Sequence, residues 1–427
     1  MQVRSNKISG SQIELTVEIP REIWENSLRN KYEYYRKTVK IDGFRQGKVN
    51  MGMLKKLYGD SIEAEASDEM VKAYYIKALD QEKIDPIAPG DIKDMDYSEG
   101  KPFSFRIIVD VMPEIEVQAL DSLETYLEEV IVEEEDIETG LNMLREDHAV
   151  LTSSESAIDH HSVVTADVQE VDKVGVPVLT HNWKDIKIEI GKNAFGPELD
   201  EKLLDKNAGD EVIAAFKTDG SGLDESKEVF YHFEIKEVNH KELPELDDEF
   251  AKSVNAEFNN VDDLRQGVKS IMSQQSNSRA KVKMLNRLVQ HLIENNRIDV
   301  PPTMLDNYLE RLLENARRDR EPINEEDFRK KYEPSAIRNL KWYILRKNLI
   351  KEYNLHSSEE EVEALIEKAI TESSADKETL RNHFKIEKNR EKIVDDIEEQ
   401  KVLDFIRSQA KIIPRQVIYR DFIANNP

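Results

Sequence analysis

A short stretch between two helical patterns carries the residues best suited to binding. Gly43 and Gly47 bracket an aromatic ring and a guanidinium, Phe44 and Arg45, and Lys48 follows directly. Because glycine tolerates positive φ, the pattern predicts a tight loop that presents Phe44 and Arg45 together. An exposed phenylalanine needs a partner that covers it, and arginine pairs with phosphate or carboxylate. A surface turn with a tucked-in phenylalanine is the commoner use of such spacing, so the glycines alone predict a docking loop only weakly.

The whole string Gly43-Phe44-Arg45-x-Gly47-Lys48 closely resembles the ribosome-docking signature of bacterial trigger factors, and the resemblance extends along nearly all of the chain. It implies a molecular chaperone that docks at the exit tunnel, on ribosomal protein and rRNA, and shields nascent or unfolded polypeptides. Protein transport and cell division are further associations of that family. The family has proline two residues after the lysine, where Asn50 stands here. Asparagine is a good N-cap, so the next helix can begin either way.

Composition excludes several other classes of protein. The 427 residues include no cysteine, which rules out disulfides and thiolate metal sites. No apolar run is long enough to cross a bilayer, and no apolar segment follows the first residues as in a secretion signal. Neither a Gly-Lys-Ser/Thr phosphate loop nor a His-Glu-x-x-His helix is present. We therefore expect a cytoplasmic protein with no membrane contact and no cofactor.

A metal site is also not expected. Asp159-His160-His161 is the only dense histidine sequence, with His148 and His181 elsewhere in the chain. Adjacent histidines on a loop usually face solvent, and a set of ligands must converge in space. The spacing alone does not predict such convergence.

The charge is divided unevenly along the chain. The total is −26, yet the first 60 residues carry 12 Lys and Arg against 7 Asp and Glu, a net charge of +5. A basic module on an acidic body would give local, salt-sensitive docking on phosphates. For the acidic body alone, solubility is a sufficient explanation.

The order of the patterns predicts an α+β multidomain protein. Alternating apolar residues predict strands over 13–19 and 103–111. Between these strands we expect a helix opened by Pro20, a short helix from Met51 to Tyr58, and another capped by Asp60. These elements form a first, ribosome-binding domain over 1–113. A linker and helix without a strong strand pattern occupy 114–150, where the acidic run 133–136 suits a helix N-terminus.

The apolar period changes to two over 151–241. Strands alternate around Val164, Ile188, Val212 and Phe233, and one short helix begins at Pro197. This region resembles the FKBP-like prolyl isomerase insert of trigger factors. The pocket residues implied by that resemblance are Asp167, Phe195, Pro197, Leu199, Phe216, Tyr231 and Phe233.

The pocket motifs depart from the family pattern. The family reads Asp-Phe-Thr-Gly and Ile-Pro-Gly-Phe, whereas this chain reads Asp-Val-Gln-Glu over 167–170 and Gly-Pro-Glu-Leu over 196–199. Both phenylalanines have become aliphatic, and carboxylates occupy both glycine positions. A charge near an apolar cup is costly to desolvate. We therefore expect weak or absent isomerase activity, with ordinary strand core as the more common role of the remaining aromatics.

The last region, 242–427, resembles the helical C-terminal chaperone domain with its arms. Its landmarks are Leu243–Phe250 and Ile298–Pro301. We expect helices over about 334–353, 358–372 and 377–411, the last ended by Pro414. Candidate client contacts are Met304, Leu309, Leu345, Leu349, Ile418, Tyr419 and Phe422. Burial between helices is the commoner fate of such residues.

Two other functions remain open from the sequence. The protein could be a prolyl isomerase first and a chaperone second, or an acidic helical assembly factor for folded partners. Neither alternative needs an exposed Phe44–Arg45 pair in a basic module, so the docking loop favours the chaperone. The sequence leaves open whether the free protein is a homodimer.

Overall fold

The computed structural model of the protein describes residues 1–40, 47–98, 100–160, 162–173, 175–192, 196–218, 227–318, 323–373 and 376–425. In chain order, the elements are β1 (Gln2–Lys7), β2 (Gln12–Ile19), α1 (Arg21–Thr38), α2 (Met51–Glu82), β3 (Asp91–Asp96), β4 (Phe103–Asp110), β5 (Glu124–Ile131), α3 (Glu134–Asp147), β6 (Val150–Ser153), β7 (Ser162–Val171), β8 (Pro177–Glu189), α4 (Pro197–Leu203), β9 (Glu211–Thr218), β10 (Lys227–Glu242), α5 (Asp248–Val254), α6 (Val261–Asn295), α7 (Pro302–Arg318), α8 (Glu325–Tyr353), α9 (Glu359–Glu372), α10 (Lys377–Phe384), α11 (Glu387–Gln409), β11 (Lys411–Ile418) and α12 (Tyr419–Ala424).

The chain forms two compact units, each assembled from segments that are distant in sequence. The first unit contains Met1–Leu127 and Val282–Ile413, and the second contains Glu128–Lys281 and Pro414–Pro427. The expected fold class, α+β and multidomain with a β-rich middle region and a helical C-terminal region, is confirmed. The division into 1–113, 114–150, 151–241 and 242–427 stays a prediction about functional domains.

A four-stranded sheet in the order β1-β2-β4-β3 begins the first unit. The alternation of β2 and β4 is that of a half-buried sheet, and Leu15 is paired with Ile107 in an antiparallel register. Both side chains are buried against Met70 of α2 and Trp24 of α1. The two edge strands were not predicted, because β1 and β3 are mostly exposed and polar.

The prediction of two helices over 51–58 and from Asp60 is wrong. α2 runs without interruption from Met51 to Glu82. Leu54, Ile62 and Ala66 are each fully buried and lie at multiples of four residues, so one apolar stripe continues through the expected break. Burial of that stripe outweighs the local capping preference of Asp60.

Two asparagines attach the segment after β4 to the C-terminal helices of the same unit. Asn348 of α8 accepts a hydrogen bond from Ile115 N at 3.1 Å and donates to Pro113 O at 3.0 Å. Asn296 accepts from Gln118 N at 2.7 Å and donates to Gln118 O at 3.1 Å. An amide side chain carries both a donor and an acceptor, so each asparagine pairs with the irregular backbone as a neighbouring strand would. The expected linker is therefore fixed in its first part.

A strand follows this segment, although no strong strand pattern was expected between 114 and 150. β5 pairs with β11, and Lys411 N donates to Leu123 O at 2.8 Å just before β5 begins. The partner strand lies almost 300 residues later in the sequence, so no local pattern could reveal the pairing. β11 also includes Pro414, which was expected to end a helix.

Two of the helices expected in the C-terminal region differ from the structure. α8 begins at Glu325 rather than near Pro334, because Asn324 caps it by accepting from Glu326 N at 3.0 Å. The expected helix over 377–411 is divided into α10 and α11, with Lys385 ending the first and Ile386 preceding the second. The helix expected over 358–372 is confirmed within one residue.

The second unit contains a five-stranded sheet and a short covering helix. The sheet follows the order β6-β10-β7-β8, and β9 pairs with the other end of the long strand β10. Leu199 and Leu203 of α4 are fully buried against inward residues of the sheet, including Phe233 and Ile235. The expected strands and the helix that begins at Pro197 are confirmed.

Helices form a separate core in the second unit. α3 begins with a capping box in which Glu133 and Asp136 exchange side-chain and backbone hydrogen bonds, as the acidic run predicted. Its buried face packs Leu141 against Val268 and Leu264 of α6. A Cβ atom on Gly140 would lie 2.9 Å from Val268 Cγ1, so this close helix contact requires glycine.

The paired asparagines give a first testable prediction. Asn296→Ala leaves Gln118 without its side-chain partner, so we expect the free energy of opening the segment 114–123 to fall by about 1–3 kcal/mol. Hydrogen exchange at Gln118 and its neighbours, measured by mass spectrometry, should become about 5- to 150-fold faster. The matched control is Asn295→Ala, because Asn295 is exposed and its side chain donates to His291 O, one turn earlier in its own helix. Equal acceleration in both variants, or none in Asn296→Ala, contradicts the assigned role.

Candidate functional site

The docking motif lies at the connection between α1 and α2. Gly43, Phe44 and Arg45 fall within residues 41–46, outside the described part of the chain. Of the motif, Gly47 has a φ of +79°, a value that favours glycine. Lys48, the other described member, is exposed.

The first turn of α2 is closed by Asn50. Its side chain accepts a hydrogen bond from Gly52 N at 2.9 Å, and its ψ of 137° is that of an N-cap. The expectation that asparagine can start this helix in place of the family's proline is confirmed. Val49, between Lys48 and the cap, is 4% exposed and joins a small core with Tyr32, Leu54 and Ile62. Val49, which follows the motif directly, is therefore held by buried contacts with α1 and α2.

Polar contacts tie α1 to α2 beside this core. Lys31 Nζ lies 2.8 Å from Glu65 Oε1 and 2.6 Å from Glu69 Oε1, and these hydrogen bonds raise the pKa of Lys31 to about 12. Tyr32 donates to Glu63 Oε1 at 2.9 Å. Burial, and then the bond to Glu63, raise the pKa of Tyr32 to about 12. Both groups thus keep their protons at neutral pH, and the two helices that carry the loop are held in register.

The structure gathers some of the implied isomerase residues on the inner face of the β-rich sheet. Tyr231 lies between Phe216 at 5.4 Å and Trp183 at 5.9 Å, measured between ring centroids. Phe216 also lies 6.2 Å from Phe233, which is 1% exposed. Leu199 is fully buried in the core below. Phe216, Tyr231, Phe233 and Leu199 are therefore brought together.

Other implied pocket residues are not part of this set. Phe195 lies outside the described residues, and Pro197 is described only as the first residue of α4. Asp167 is one position from inward-facing Val168, so it belongs to the opposite face of the sheet. There Lys236 Nζ lies 2.9 Å from Asp167 Oδ1, and Asp185 N donates to the same oxygen at 2.9 Å. These two bonds, that of Lys236 first, lower the pKa of Asp167.

Trp183, which is 44% exposed at the edge of the aromatic group, is not among the pocket residues predicted from the sequence. The register between β7 and β8 shifts between Ala166 and Val168. Trp183 and Ile186 therefore lie on the same face of the sheet, although an odd number of positions separates them. A strict period of two cannot assign both residues. Asp185, with a φ of +56°, lies at this irregularity.

A carboxylate also belongs to the aromatic face. Glu170 is paired directly with Tyr231 in the sheet register, and its carboxylate is bonded to His181 Nδ1. Burial, followed by the charge of Glu170, raises the pKa of Tyr231. The His181 ring stacks near Trp183, with centroids 6.3 Å apart. The face is therefore aromatic but bordered by a bound carboxylate and an imidazole.

The histidine sequence does not form a recognisable metal centre in the described chain. Asp159 contacts His240 Nδ1 at 3.4 Å and accepts from Ser162 Oγ at 2.9 Å. His161 lies outside the described residues. Among the residues that are described, no group of three histidine or acidic side chains is placed to hold a metal ion.

The candidate client residues divide into two groups. Leu309, Leu345, Leu349 and Phe422 are each at most 3% exposed, so the expected burial of these four is confirmed. Met304, Ile418 and Tyr419 are partly exposed. Met304 lines a groove of about 440 Å³ between α7 and α8, together with Arg311 and Leu340.

In the described part of the chain, no helix is long and apolar enough to span a membrane.

The chain is similar to trigger factors along most of its length. Residues 1–144 match the family described as bacterial trigger factor protein, and residues 260–408 match that of its C-terminus. The trigger factor of Halothermothrix orenii is 29% identical over 95% of this chain and 98% of the relative. That of Geobacter sulfurreducens is 30% identical over 95% of this chain and 97% of the relative.

A solved structure has the same fold. It is described as "Promiscuous Substrate Recognition in Folding and Assembly Activities of the Trigger Factor Chaperone", and its TM-score is 0.52. The identity is 22%, over 95% of this chain and 99% of that chain. With the sequence relatives, this likeness leads to one conclusion: the chain belongs to the bacterial trigger factor family, and this membership supports a chaperone function in protein folding.

Proposed function

We propose that this protein docks on the ribosome beside the exit of the polypeptide tunnel and shields nascent and unfolded chains. Gly43, Phe44, Arg45, Gly47 and Lys48 form the docking loop. Arg45 and Lys48 pair with rRNA phosphate or an acidic ribosomal-protein side chain, and Phe44 is buried against an apolar patch. The family signature in a basic module is the observation that carries this proposal.

The packing of the two helices that flank the loop supports docking of this kind. α1 and α2 are joined by the core around Tyr32 and by the Lys31 ion pairs. Helices that are already packed together lose less conformational entropy when a partner binds beside them. Lys48 has no carboxylate partner among the described residues, so its charge remains available for a phosphate.

Client shielding is supported by exposed apolar side chains and by the groove between α7 and α8. Leu57 and Ile76 of α2 are 53% and 61% exposed, and Ile271 of α6 is 54% exposed. The groove offers Met304 beside both acidic and basic side chains. Scattered contacts of this kind bind an unfolded chain weakly and release it quickly.

Docking is tested with Phe44→Ala/Arg45→Ala/Lys48→Ala. We expect the variant to co-sediment with 70S ribosomes at least about tenfold more weakly, because it lacks the apolar anchor and two cations. Wild-type binding should weaken as salt rises, since phosphate contacts release counterions. The matched control removes one exposed apolar side chain and two cations from α2, in Ile76→Ala/Lys72→Ala/Lys77→Ala. Pelleting of the loop variant at the wild-type level contradicts the proposal.

We further propose that the FKBP-like region has weak or absent prolyl isomerase activity and serves mainly as shape or client contact. Isomerisation faces a barrier of about 18–20 kcal/mol, which a desolvated aromatic cup lowers in this family. Here Leu199 replaces the phenylalanine of the floor helix, and Glu170 borders the aromatic face where the family has glycine. Keeping that carboxylate hydrated opposes desolvation of a bound X-Pro peptide.

A protease-coupled assay on a short Ala-Pro peptide tests this second proposal. We expect kcat/KM to be more than about tenfold below that of an ordinary trigger factor, a loss of over about 1.4 kcal/mol of transition-state stabilisation. Glu170→Gly should raise the rate because it removes the carboxylate. The control Glu155→Gly changes an exposed glutamate outside the sheet and should have no effect. Wild-type turnover within tenfold of the ordinary enzyme refutes weak activity.

A further inference from the structure

Helix α8 contains a proline in its interior. Pro334 follows the first nine residues of a helix that runs from Glu325 to Tyr353. A proline at such a position cannot donate to the carbonyl of Lys330, and its ring crowds that carbonyl, so the helix is weakest there. The next residue, Ser335, donates from its hydroxyl to Tyr332 O at 2.8 Å, a local bond of the kind that bends helices. Two neighbouring features therefore mark this point of α8 as a hinge.

The two sides of Pro334 differ in burial. Every buried residue of α8 follows the proline: Ala336, Leu340, Ile344, Leu345, Arg346, Leu349 and Ile350. We call the preceding segment, Glu325–Glu333, the strap. Its side chains are exposed, except that Phe328 and Arg329 are half-buried. Because most of a helix's stability in a protein comes from packing of its apolar face, the strap is held less firmly than the rest of α8.

Charged side chains at the surface connect the strap to α7. Arg317 Nη2 of α7 lies 3.3 Å from Glu325 Oε2, and Arg329 Nη1 of the strap lies 3.3 Å from Asp306 Oδ1 of α7. Each of these four side chains is about one-third exposed or more. Exposed ion pairs of this kind contribute little to stability and weaken as salt rises. The strap is therefore joined to α7 by contacts that break easily.

The strap lies over an apolar position of α7. Beyond the hinge, Asn339 Nδ2 donates to the Tyr308 hydroxyl of α7 at 3.0 Å. At the other end, Arg317 pairs with Glu325 at the start of the strap. Leu313 lies between these two points on α7, and it is 2% exposed. Movement of the strap away from α7 would therefore expose Leu313 to water.

We propose that the strap swings on Pro334 between a closed position on α7 and an open position that exposes apolar surface around Leu313. Closure buries that surface and forms the two ion pairs, and the interrupted helix at the proline permits the movement. Because salt weakens exposed ion pairs, rising ionic strength shifts the strap towards the open position. The exposed apolar area of this helix pair thus varies with ionic strength. The inference goes beyond docking on the ribosome and does not depend on it.

Pairs of spin labels on the full-length protein test the movement, because the chain has no cysteine of its own that would take up a label. Asn307→Cys/Asp327→Cys reports on the strap, and Asn307→Cys/Glu352→Cys reports on the part of α8 beyond the hinge. Asn307 lies opposite Asn339, and both α8 positions are about 18–20 Å from Asn339 along the helix. By pulsed electron resonance, we expect a broad or double distance distribution for the strap pair and a narrow one for the other pair.

Substitution of the proline tests the hinge. Pro334→Ala allows a hydrogen bond to Lys330 O, so it should narrow the strap distribution and slow amide hydrogen exchange in the strap by about tenfold or more. The matched control is Pro302→Ala, because Pro302 is the first residue of α7, where a proline interrupts no helical hydrogen bond. The control should change neither reading. A narrow strap distribution in the protein that retains Pro334, or equal effects of the two substitutions, overturns the proposal.

The role of the ion pairs is tested with the strap pair of labels. Raising salt from about 50 mM to about 500 mM should shift its distribution to longer distances, and Arg329→Gln should cause the same shift at low salt. Lys330→Gln is the matched control: Lys330 pairs with Glu326 at 3.0 Å within the strap, as Arg329 also does with Glu325 at 3.2 Å, and it should cause no shift. A distribution that neither salt nor Arg329→Gln changes would overturn the ionic control of the strap.

Discussion

The first compact unit depends on satisfying the backbone polar groups of an irregular segment. After β4 the chain leaves its sheet, and buried amides and carbonyls without partners are costly. Two side chains supply those partners, Asn348 and Asn296, and Asp110 at the end of β4 makes a separate link to the helical region. Asp110 is 7% exposed, accepts from Gln12 Nε2 at 2.9 Å and accepts from Thr303 N at 2.8 Å. One carboxylate thus joins the N-terminal sheet to the first turn of α7.

These contacts explain why residues 1–127 form one unit with residues 282–413. The side chain of Asn296 reaches a backbone 178 positions earlier, and Asn348 reaches one 233 positions earlier. Closing such long loops costs only slightly more entropy than closing shorter ones, so a few good contacts suffice. At the same junction Gly10 N donates to Asp299 Oδ2 at 3.1 Å, and a Cβ on Gly10 would lie 2.9 Å from that oxygen. The absence of a side chain there lets the turn after β1 approach the helical region.

Sequence patterns predicted what depends on neighbours in the chain. The alternation of β2, β4 and β7, the cap at Asn50 and the acidic start of α3 are local signals, and each was confirmed. The pairing of β5 with β11 could not be predicted, because it joins distant parts of the sequence. The continuity of α2 was also not predicted, because its buried apolar stripe continues through the capping signal at Asp60. The aromatic face was predicted in part: Tyr231 and Phe233 followed from period two, whereas Trp183 sits beyond a bulge. Asp167 lies on the face of the sheet opposite the aromatic group. The register of β7 determines that placement, and a match of sequence motifs does not reveal the register.

The cations of the basic module, residues 1–60, fall into two groups: those paired with a carboxylate of the fold and those without such a partner among the described residues. Lys31 contacts two glutamates, and Arg36 Nη2 lies 2.7 Å from Glu33 Oε2, so these cations are largely neutralised within the fold. A paired surface cation has little further attraction to offer a partner, since its field is compensated at short range. Arg29, Lys48 and Lys55 have no such carboxylate in the described part of the module. Among the described residues no carboxylate compensates the charge of Lys48, so binding through the loop should weaken as ionic strength rises.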